Sequence, residues 1–265
     1  MLTLDENTLF SSNQPRHLSL ANKLANFCDE LFFVSEVKTL FPGKISDHFR
    51  RSDVMERYFS NVLLAEKLLF AEVNFLRANV KTLAIKNGDL SLLEEVNLYP
   101  ALKSDIFIIF GSSFIKGWLA DFLIDRAAIN VHLGISPYYR GSSCNFWALY
   151  DKRPAYVGAT LHKLSIGLDD GDIISHCLPC LRNDENIFSF TMRSVSAAHE
   201  GLLSLLQDKN LPNIKTVRQD KTKELRYSRR ADFTDNVASE FLDVANTMQL
   251  QIDNYPELVR PQFFE

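Results

Sequence analysis

The sequence predicts an α/β protein with a Rossmann-like, mostly parallel sheet, helices on both faces and a small C-terminal extension. The run Ile106–Phe110 is apolar at every position, and a strand that is apolar on both faces belongs in a sheet covered on both sides. The stretches around it alternate between strand-like and helix-like patterns, which is the order of βαβ units. With 265 residues, 46% of them hydrophobic, we expect one large domain at 1–208 and an extension at 209–265.

The first predicted unit has the order strand, turn, helix, strand. A short apolar stretch, Asn7–Phe10, ends in SSNQPRH, after which LSLANKLANFC has helical spacing of apolar residues and DELFFVSE is strand-like. Ser11, Ser12 and Asn13 are good N-cap residues. The first N–H groups of the helix, together with Arg16, can hold an anion. The alternative is that these residues only cap the helix.

The next part of the chain combines a long helical pattern with shorter elements. The segment Ser46–Ala78 contains many strong helix formers, has apolar residues at three- and four-residue spacing, and lacks Gly and Pro. This pattern predicts one or two amphipathic helices. We then expect a strand at LAIKNGD and a helix near Leu90–Leu98. After Ile106–Phe110, which Gly111 ends, IKGWLADFLID predicts the crossover helix and AAINVHL the next strand.

Polar residues follow two of these strands. Ligands of open α/β sheets bind at the carboxyl ends of the strands, so Gly111–Phe114 and Asn130–Pro137 should converge on one cleft. Asn130 and His132 are two apart on a strand and therefore point to the same face; a buried histidine satisfied by a neighbouring amide is the alternative. The sequence GATLHKLSIGLDDGDII at 158–174 predicts two strands joined by a turn that brings a carboxylate beside the sheet. A carboxylate, an imidazole and an amide together can bind an oxyanion.

Composition and charge argue against several classes of protein. The formal net charge of −4 disfavours a general nucleic-acid binder, because that affinity comes from clustered Lys and Arg. The N-terminus lacks the basic and apolar regions of a secretory signal, and no window approaches the ~20 apolar residues of a membrane span. We therefore expect a cytoplasmic protein without a nucleic-acid or membrane partner.

The four cysteines are expected to be reduced thiols in that compartment. Cys177 and Cys180 form a C-x-x-C, which can be a redox couple or half of a zinc site. The run GDIISHCLPCL predicts a strand instead, on which residues three apart face opposite sides. Because Cys28 and Cys144 stand alone in the sequence, we expect no metal site.

Five motifs resemble, in the same order, the core of the formyltransferases that use 10-formyltetrahydrofolate. They are Asn-Val-His, Ser-Pro-Tyr-Tyr-Arg-Gly, Phe-Trp-Ala-Leu, Gly-Ala-Thr-Leu-His and Gly-Leu-Asp-Asp-Gly-Asp-Ile-Ile. The family includes glycinamide ribonucleotide formyltransferase, methionyl-tRNA formyltransferase and the sugar N-formyltransferases, the last being the most similar in these motifs. The resemblance is clearest over residues 105–175. It departs at Gly134–Pro137, where members often have Ser-Leu-Leu-Pro, and at Cys144, where Pro is common.

The resemblance implies roles for individual residues. The catalytic residues would be Asn130, His132 and Asp169, because Asp169 rather than Asp170 matches the family's Leu-Asp-x-Gly turn; His162 would be structural. The formyl donor, 10-formyltetrahydrofolate, would be held largely by backbone groups of two loops, Ser112, Ser113, Phe114, Ile115 and Lys116 in one and Ile166, Gly167, Leu168 and Asp170 in the other. The acceptor would contact Ser12, Asn13, Arg16, Tyr138, Tyr139, Arg140 and Gly141. Arg140 would pair with a phosphate or carboxylate, or else form a structural ion pair.

The resemblance implies a small-molecule amine as acceptor, and we favour a nucleotide-linked amino sugar. The alternatives are glycinamide ribonucleotide, an amino acid or a peptide as acceptor, a formyltetrahydrofolate hydrolase, and a non-catalytic Rossmann-like binding protein. Methionyl-tRNA is disfavoured because the tail, roughly Asp208–Glu265, is short and mostly not basic. A hydrolase is disfavoured because those enzymes carry a regulatory domain ahead of the catalytic one. An NAD enzyme is disfavoured because no G-x-G-x-x-G follows the first strand.

The extension includes a helix-like stretch, TDNVASEFLDVANTMQL, which we expect to pack on the core or to form a homodimer contact. It also contains a basic patch, KTKELRYSRR at 221–230. The commonest meaning of such a patch is a solvated face.

Overall fold

The computed structural model describes residues 4–38, 52–71, 75–183, 185–208, 211–245 and 247–265. The first unit confirms the predicted order, with β1 (Leu4–Ser12), α1 (Pro15–Leu24) and β2 (Cys28–Val37). The helix begins later than predicted, because Pro15 starts it and Gln14 precedes it without a side-chain cap. Ser11 and Ser12 belong to β1, so the prediction that they or Asn13 cap the helix is wrong.

The long helical pattern forms α2 (Asp53–Phe70), which Ser52 caps through its side-chain oxygen. The predicted range began at residue 46, and 46–51 lie outside the described residues. Its predicted end at residue 78 is wrong, since Ala71 has a φ of 60° and residues 75–79 are not helical. The chain must turn there towards the next strand, and tertiary context overrides helix propensity.

The rest of the first half contains β3 (Val80–Lys86), α3 (Glu95–Leu98), β4 (Ile106–Phe110), α4 (Trp118–Asp125) and β5 (Ile129–His132). The predicted strands and the crossover helix are confirmed. The helix expected near residues 90–98 is reduced to α3 and a separate 3-10 turn at Leu90–Leu92. The side chain of Asn97 bonds the N–H of Glu94, and this local cap starts α3 late.

The second half contains β6 (Tyr139–Gly141), α5 (Cys144–Tyr150), β7 (Ala159–Lys163), β8 (Ile173–Pro179), α6 (Ile187–Gln207), β9 (Arg226–Ser228), α7 (Asp235–Ala245) and β10 (Gln262–Phe264). The pair β7 and β8 confirms the predicted strand, turn and strand. The helix α7 lies within the predicted helix-like stretch of the extension.

The described strands form an eight-stranded sheet in the order β10-β8-β7-β5-β4-β1-β2-β3. All neighbouring strands from β3 to β5 are parallel, β7 is antiparallel to both of its neighbours, and β10 is parallel to β8. The Rossmann-like, mostly parallel sheet is therefore confirmed. The strands β6 and β9 form a separate two-stranded parallel sheet.

Apolar side chains cover both faces of the sheet, as the two-sided strand pattern predicts. Leu9 and Ile108 belong to a large buried cluster that includes residues of α1, α2 and α6. Their neighbours Phe10 and Ile109 belong to a second cluster, which includes Leu119 of α4. Because successive strand residues point to opposite faces, the two clusters lie on opposite sides of the sheet.

The extension contacts the core through strand pairing and ion pairs. Its basic patch is not simply a solvated face, because three of its cations reach carboxylates elsewhere in the chain. Lys221 pairs with Asp170 at 3.3 Å, Lys223 with Glu257 at 2.6 Å, and Arg226 with Asp151 at 2.7 Å. The boundary at residue 208 and the homodimer contact stay predictions.

Candidate active site

The strand β5 brings Asn130 and His132 to one face, where both meet the carboxylate of Asp169. His132 Nδ1 lies 3.3 Å from Asp169 Oδ2, and Asn130 Nδ2 lies 3.5 Å from Asp169 Oδ1. His132 is only 7% exposed. The structure thus brings together the three residues predicted to be catalytic, and their roles stay predictions.

Asp169 lies on the turn between β7 and β8 with a positive φ of 49°, a conformation that is unfavourable for residues other than glycine. Burial favours a higher pKa for its carboxyl, but His132 and the backbone N–H of Gly141 outweigh burial and lower the pKa to about 2. Asp169 is therefore ionised at neutral pH. Its neighbour Asp170 bonds Ser165 Oγ at 2.5 Å and Lys221 Nζ at 3.3 Å instead.

His132 carries a positive charge at neutral pH. Burial lowers its pKa, but the Asp169 carboxylate holds the pKa well above 6.5. Both ring nitrogens of an imidazolium donate: Nδ1 faces Asp169, and Nε2 lies 3.2 Å from the carbonyl oxygen of Tyr139. A Cβ on Gly134 would lie 2.7 Å from this Nε2, so only glycine fits against the ring.

His162 contacts the site although sequence reasoning gave it a structural role only. Its Nδ1 donates to the carbonyl oxygen of Lys163 at 2.8 Å. Its Nε2 therefore accepts, and Asn130 Nδ2 donates to it at 3.0 Å. Burial lowers the pKa of His162, which keeps the ring neutral. The antiparallel pairing of β5 with β7 sets Asn130 opposite His162, and this register is visible only in the structure.

Three residues predicted on the acceptor side have side chains that are engaged within the protein. The Tyr138 hydroxyl donates to the carbonyl oxygen of Glu257 at 3.1 Å, and the Tyr139 hydroxyl to Asp151 at 3.0 Å. Arg140 is 8% exposed and pairs with Glu224 at 2.9 Å. Glu257 and Glu224 lie in the extension, outside the motifs, whereas Asp151 directly follows α5. Contacts of these three residues with an acceptor stay predictions. Of the two interpretations of Arg140, the structure supports the ion pair.

The predicted anion site at the start of α1 is occupied by a carboxylate of the protein itself. Glu66 of α2 accepts the backbone N–H of Arg16 at 3.2 Å and its guanidinium at 2.6 Å. Ser12 is fully buried, and its hydroxyl donates to the carbonyl oxygen of Glu36 at 3.2 Å. The side chains of Ser12 and Arg16 are therefore engaged within the protein. Their contacts with a substrate stay predictions, as do those of Asn13, whose side chain accepts the N–H of Lys38.

The two predicted folate loops have exposed apolar side chains. Phe114 is 50% exposed in the first loop, and Ile166 and Leu168 are 80% and 40% exposed in the second. Glu36, which is fully buried at the end of β2, holds the first loop by accepting the Ser113 backbone N–H and, at 2.7 Å, its hydroxyl. The assignment of these loops to the folate stays a prediction.

We expect Glu36→Ala to lower the free energy of unfolding by about 3 kcal/mol, because it removes several hydrogen bonds to one buried carboxyl group. Urea denaturation measures the loss. The matched control is Glu30→Ala on the same strand, whose exposed pair with Lys81 contributes about 1 kcal/mol or less. Equal losses in the two variants would show that Glu36 does not anchor the loop.

The cysteines are free thiols. Cys177 lies on β8, as the strand pattern predicted, and burial raises its pKa to about 12. Within the described ranges no three His, Cys, Asp or Glu side chains form a group that could hold a metal ion. No helix in that part of the chain has the length and apolar character needed to cross a membrane.

No protein-family model matches the chain. Its sequence is similar to the methionyl-tRNA formyltransferase of Caldicellulosiruptor saccharolyticus, with 33% identity over 95 residues. The match spans 36% of this chain and 30% of that protein, which is less than a third of the curated relative's length.

Solved structures of formyltransferases share the fold over most of the chain. The 4-N formyltransferase of Francisella tularensis has a TM-score of 0.54 at 17% identity, and the match covers 86% of this chain and 78% of that one. The N-formyltransferase of Helicobacter canadensis, in complex with folinic acid and dTDP-3-aminofucose, has a TM-score of 0.52 at 14% identity over 86% of this chain and 72% of that one. The chain therefore has the formyltransferase fold, as its motifs predict.

Proposed function

We propose that this chain transfers a formyl group from 10-formyltetrahydrofolate to the primary amine of a nucleotide-linked amino sugar. The observation that carries the proposal is the contact of Asp169 with both His132 and Asn130, at 3.3 and 3.5 Å, on a formyltransferase fold. An amide, an imidazolium and a carboxylate at one point are the groups that this reaction requires.

Formyl transfer places two demands on the site. The amine nitrogen bonds to the formyl carbon, giving a tetrahedral centre with an oxyanion and a positively charged nitrogen. The bond from that carbon to N10 of the folate then breaks, and a proton must pass from the amine to N10. The site must therefore donate to the oxyanion and move one proton. No covalent enzyme intermediate is needed.

The three side chains meet these demands in different ways. Asn130 Nδ2 has one good acceptor, His162 at 3.0 Å, and one marginal acceptor, Asp169 at 3.5 Å. A forming oxyanion can replace the marginal one. His132 supplies a second, charged donor when its Nε2 exchanges the carbonyl oxygen of Tyr139, at 3.2 Å, for the oxyanion. Asp169 keeps His132 protonated and assists the proton transfer from the amine, directly or through water.

The preference for a nucleotide-linked amino sugar is supported by a protein of the same fold. The solved structure from Helicobacter canadensis is a complex with dTDP-3-aminofucose.

The proposal is tested by incubating the protein with 10-formyltetrahydrofolate, with and without a panel of amines. The panel contains nucleotide-linked amino sugars, glycinamide ribonucleotide, amino acids and a peptide, and the release of tetrahydrofolate is measured. We expect release only with an amino sugar nucleotide. Release of tetrahydrofolate without any amine indicates a hydrolase. Release with another amine shows that the acceptor is not an amino sugar nucleotide, and no release under any condition contradicts the enzyme assignment.

A further inference from the structure

A segment outside the formyltransferase motifs holds the turn that carries Asp169. Gln219 Nε2 donates to the carbonyl oxygen of Asp169 at 2.9 Å and to that of Gly171 at 2.8 Å. Gln219 is 7% exposed. It lies in a segment that an isolated bridge between Val217 and Ile173 fixes to the start of β8. One amide group thus bonds two backbone carbonyl groups in the part of the turn that precedes β8.

Arg140 makes a second set of bonds to the same turn. Its Nη2 donates to the carbonyl oxygen of Leu168 at 2.7 Å, and its Nε to that of Asp169 at 3.3 Å. Its Nη1 is held by Glu224 at 2.9 Å, which also belongs to the extension. The carbonyl of Asp169 therefore accepts from both Arg140 and Gln219.

The turn depends on these hydrogen bonds because the packing of its apolar side chains stabilises it only weakly. Ile166 and Leu168 are 80% and 40% exposed, and the positive φ of Asp169 costs conformational energy that surrounding contacts must offset. The carboxylate is buried beside His132, whereas the backbone behind it is fixed by hydrogen bonds from Gln219 and Arg140. These bonds therefore oppose any relaxation of the turn that would change the distance between Asp169 and His132.

We propose that Gln219 is a positioning residue, which acts through Asp169 by fixing the backbone of the turn opposite His132. The extension is then part of the machinery that sets the geometry of the site. The proposal rests on the proposed function for its kinetic consequences, but its geometric content can be measured without turnover.

The test replaces Gln219 with Met, which has a similar length and no N–H donor. We expect kcat to fall about 10- to 100-fold, as misplacement of a reacting group does, with KM for both substrates nearly unchanged. An NMR titration of His132 should show its protonation midpoint moving down towards that of an ordinary histidine. The conservative Gln219→Asn, which keeps the donor, should recover part of both changes.

The matched control is Asp220→Ala, the next residue, which is exposed and whose carboxylate accepts from Thr222. We expect wild-type kcat and an unchanged His132 midpoint. A folded Gln219→Met protein with wild-type kcat and midpoint would overturn the proposal, as would a loss of fold in both Gln219 variants. If wild-type protein transfers no formyl group, the proposed function fails, and the His132 midpoint alone decides whether Gln219 positions Asp169.

Discussion

Replacing His132 with alanine lowers the rate of formyl transfer by about 10³-fold or more, while the protein stays folded. The imidazolium is one of two donors for the oxyanion, and removal of one such donor commonly costs about 10²–10³ in rate. The variant also loses the partner that keeps Asp169 in place for proton transfer, which adds to the loss. Initial rates at saturating folate and amine measure the effect.

The fold of the variant is checked by circular dichroism and thermal unfolding. His132 is buried, and its replacement leaves the buried Asp169 carboxylate without its charged partner, which costs about 3–5 kcal/mol. We therefore expect a lower unfolding temperature but a transition that is still cooperative. We expect Asn130→Ala and Asp169→Ala to be similarly inactive. Near-normal turnover in a folded His132→Ala protein would remove these three residues from the mechanism.

Asp169→Asn, which keeps the shape but removes the charge, is expected to abolish detectable turnover and to lower the pKa of His132. In the wild-type protein burial lowers that pKa and the carboxylate raises it to well above 6.5. Without the carboxylate burial dominates, so His132 becomes neutral at pH 7 and loses one N–H donor. An NMR titration of the His132 ring measures the change, and an unchanged midpoint would contradict the assigned pairing.

Comparing the wild type with Asp169→Asn also tests how the free energy of unfolding depends on pH. The pKa of Asp169 is lowered from 3.8 to about 2, which corresponds to about 2 kcal/mol of folding stability. This stabilisation is fully present above pH 3.8 and is lost as the pH falls through about 2. The charged form of His132 stabilises the folded protein below pH 6.5, and this stabilisation is lost as the pH rises through the raised pKa of His132 in the folded state. The stability of the wild type relative to Asp169→Asn should therefore be greatest between about pH 4 and 6.5. A constant difference across pH 3–9 in urea denaturation would contradict the coupled pair.

The sequence predicted the parts of the site that depend on short-range geometry. Asn130 and His132 share a face because a strand repeats every two residues. The strand, turn and strand at 158–174 could be predicted from turn residues between apolar runs. The covered sheet followed from Ile106–Phe110, because a strand apolar on both faces needs helices on both sides. Each of these predictions uses a pattern within one short segment, the longest being 158–174.

The contacts that the sequence did not reveal join distant parts of the chain. Gln219 bonds Asp169 across 50 residues, and Arg140 meets Glu224 across 84. No periodicity connects such pairs. The motif order suggested the acceptor side for Tyr138 and Arg140, but the direction of a side chain depends on its partners, and here the extension supplies them. The same reason explains Glu66, which reaches the first turn of α1 from another helix.

One labelling experiment tests the central claim most directly. The protein is mixed with 10-formyltetrahydrofolate carrying a ¹³C formyl carbon and with the amino sugar nucleotide that supports turnover in the panel, and the label is followed by NMR. We predict that the label appears on the sugar amine in a one-to-one ratio with released tetrahydrofolate, and that it stays on the folate with His132→Ala. Label that appears as formate, or equal transfer by the His132 variant, would contradict the account.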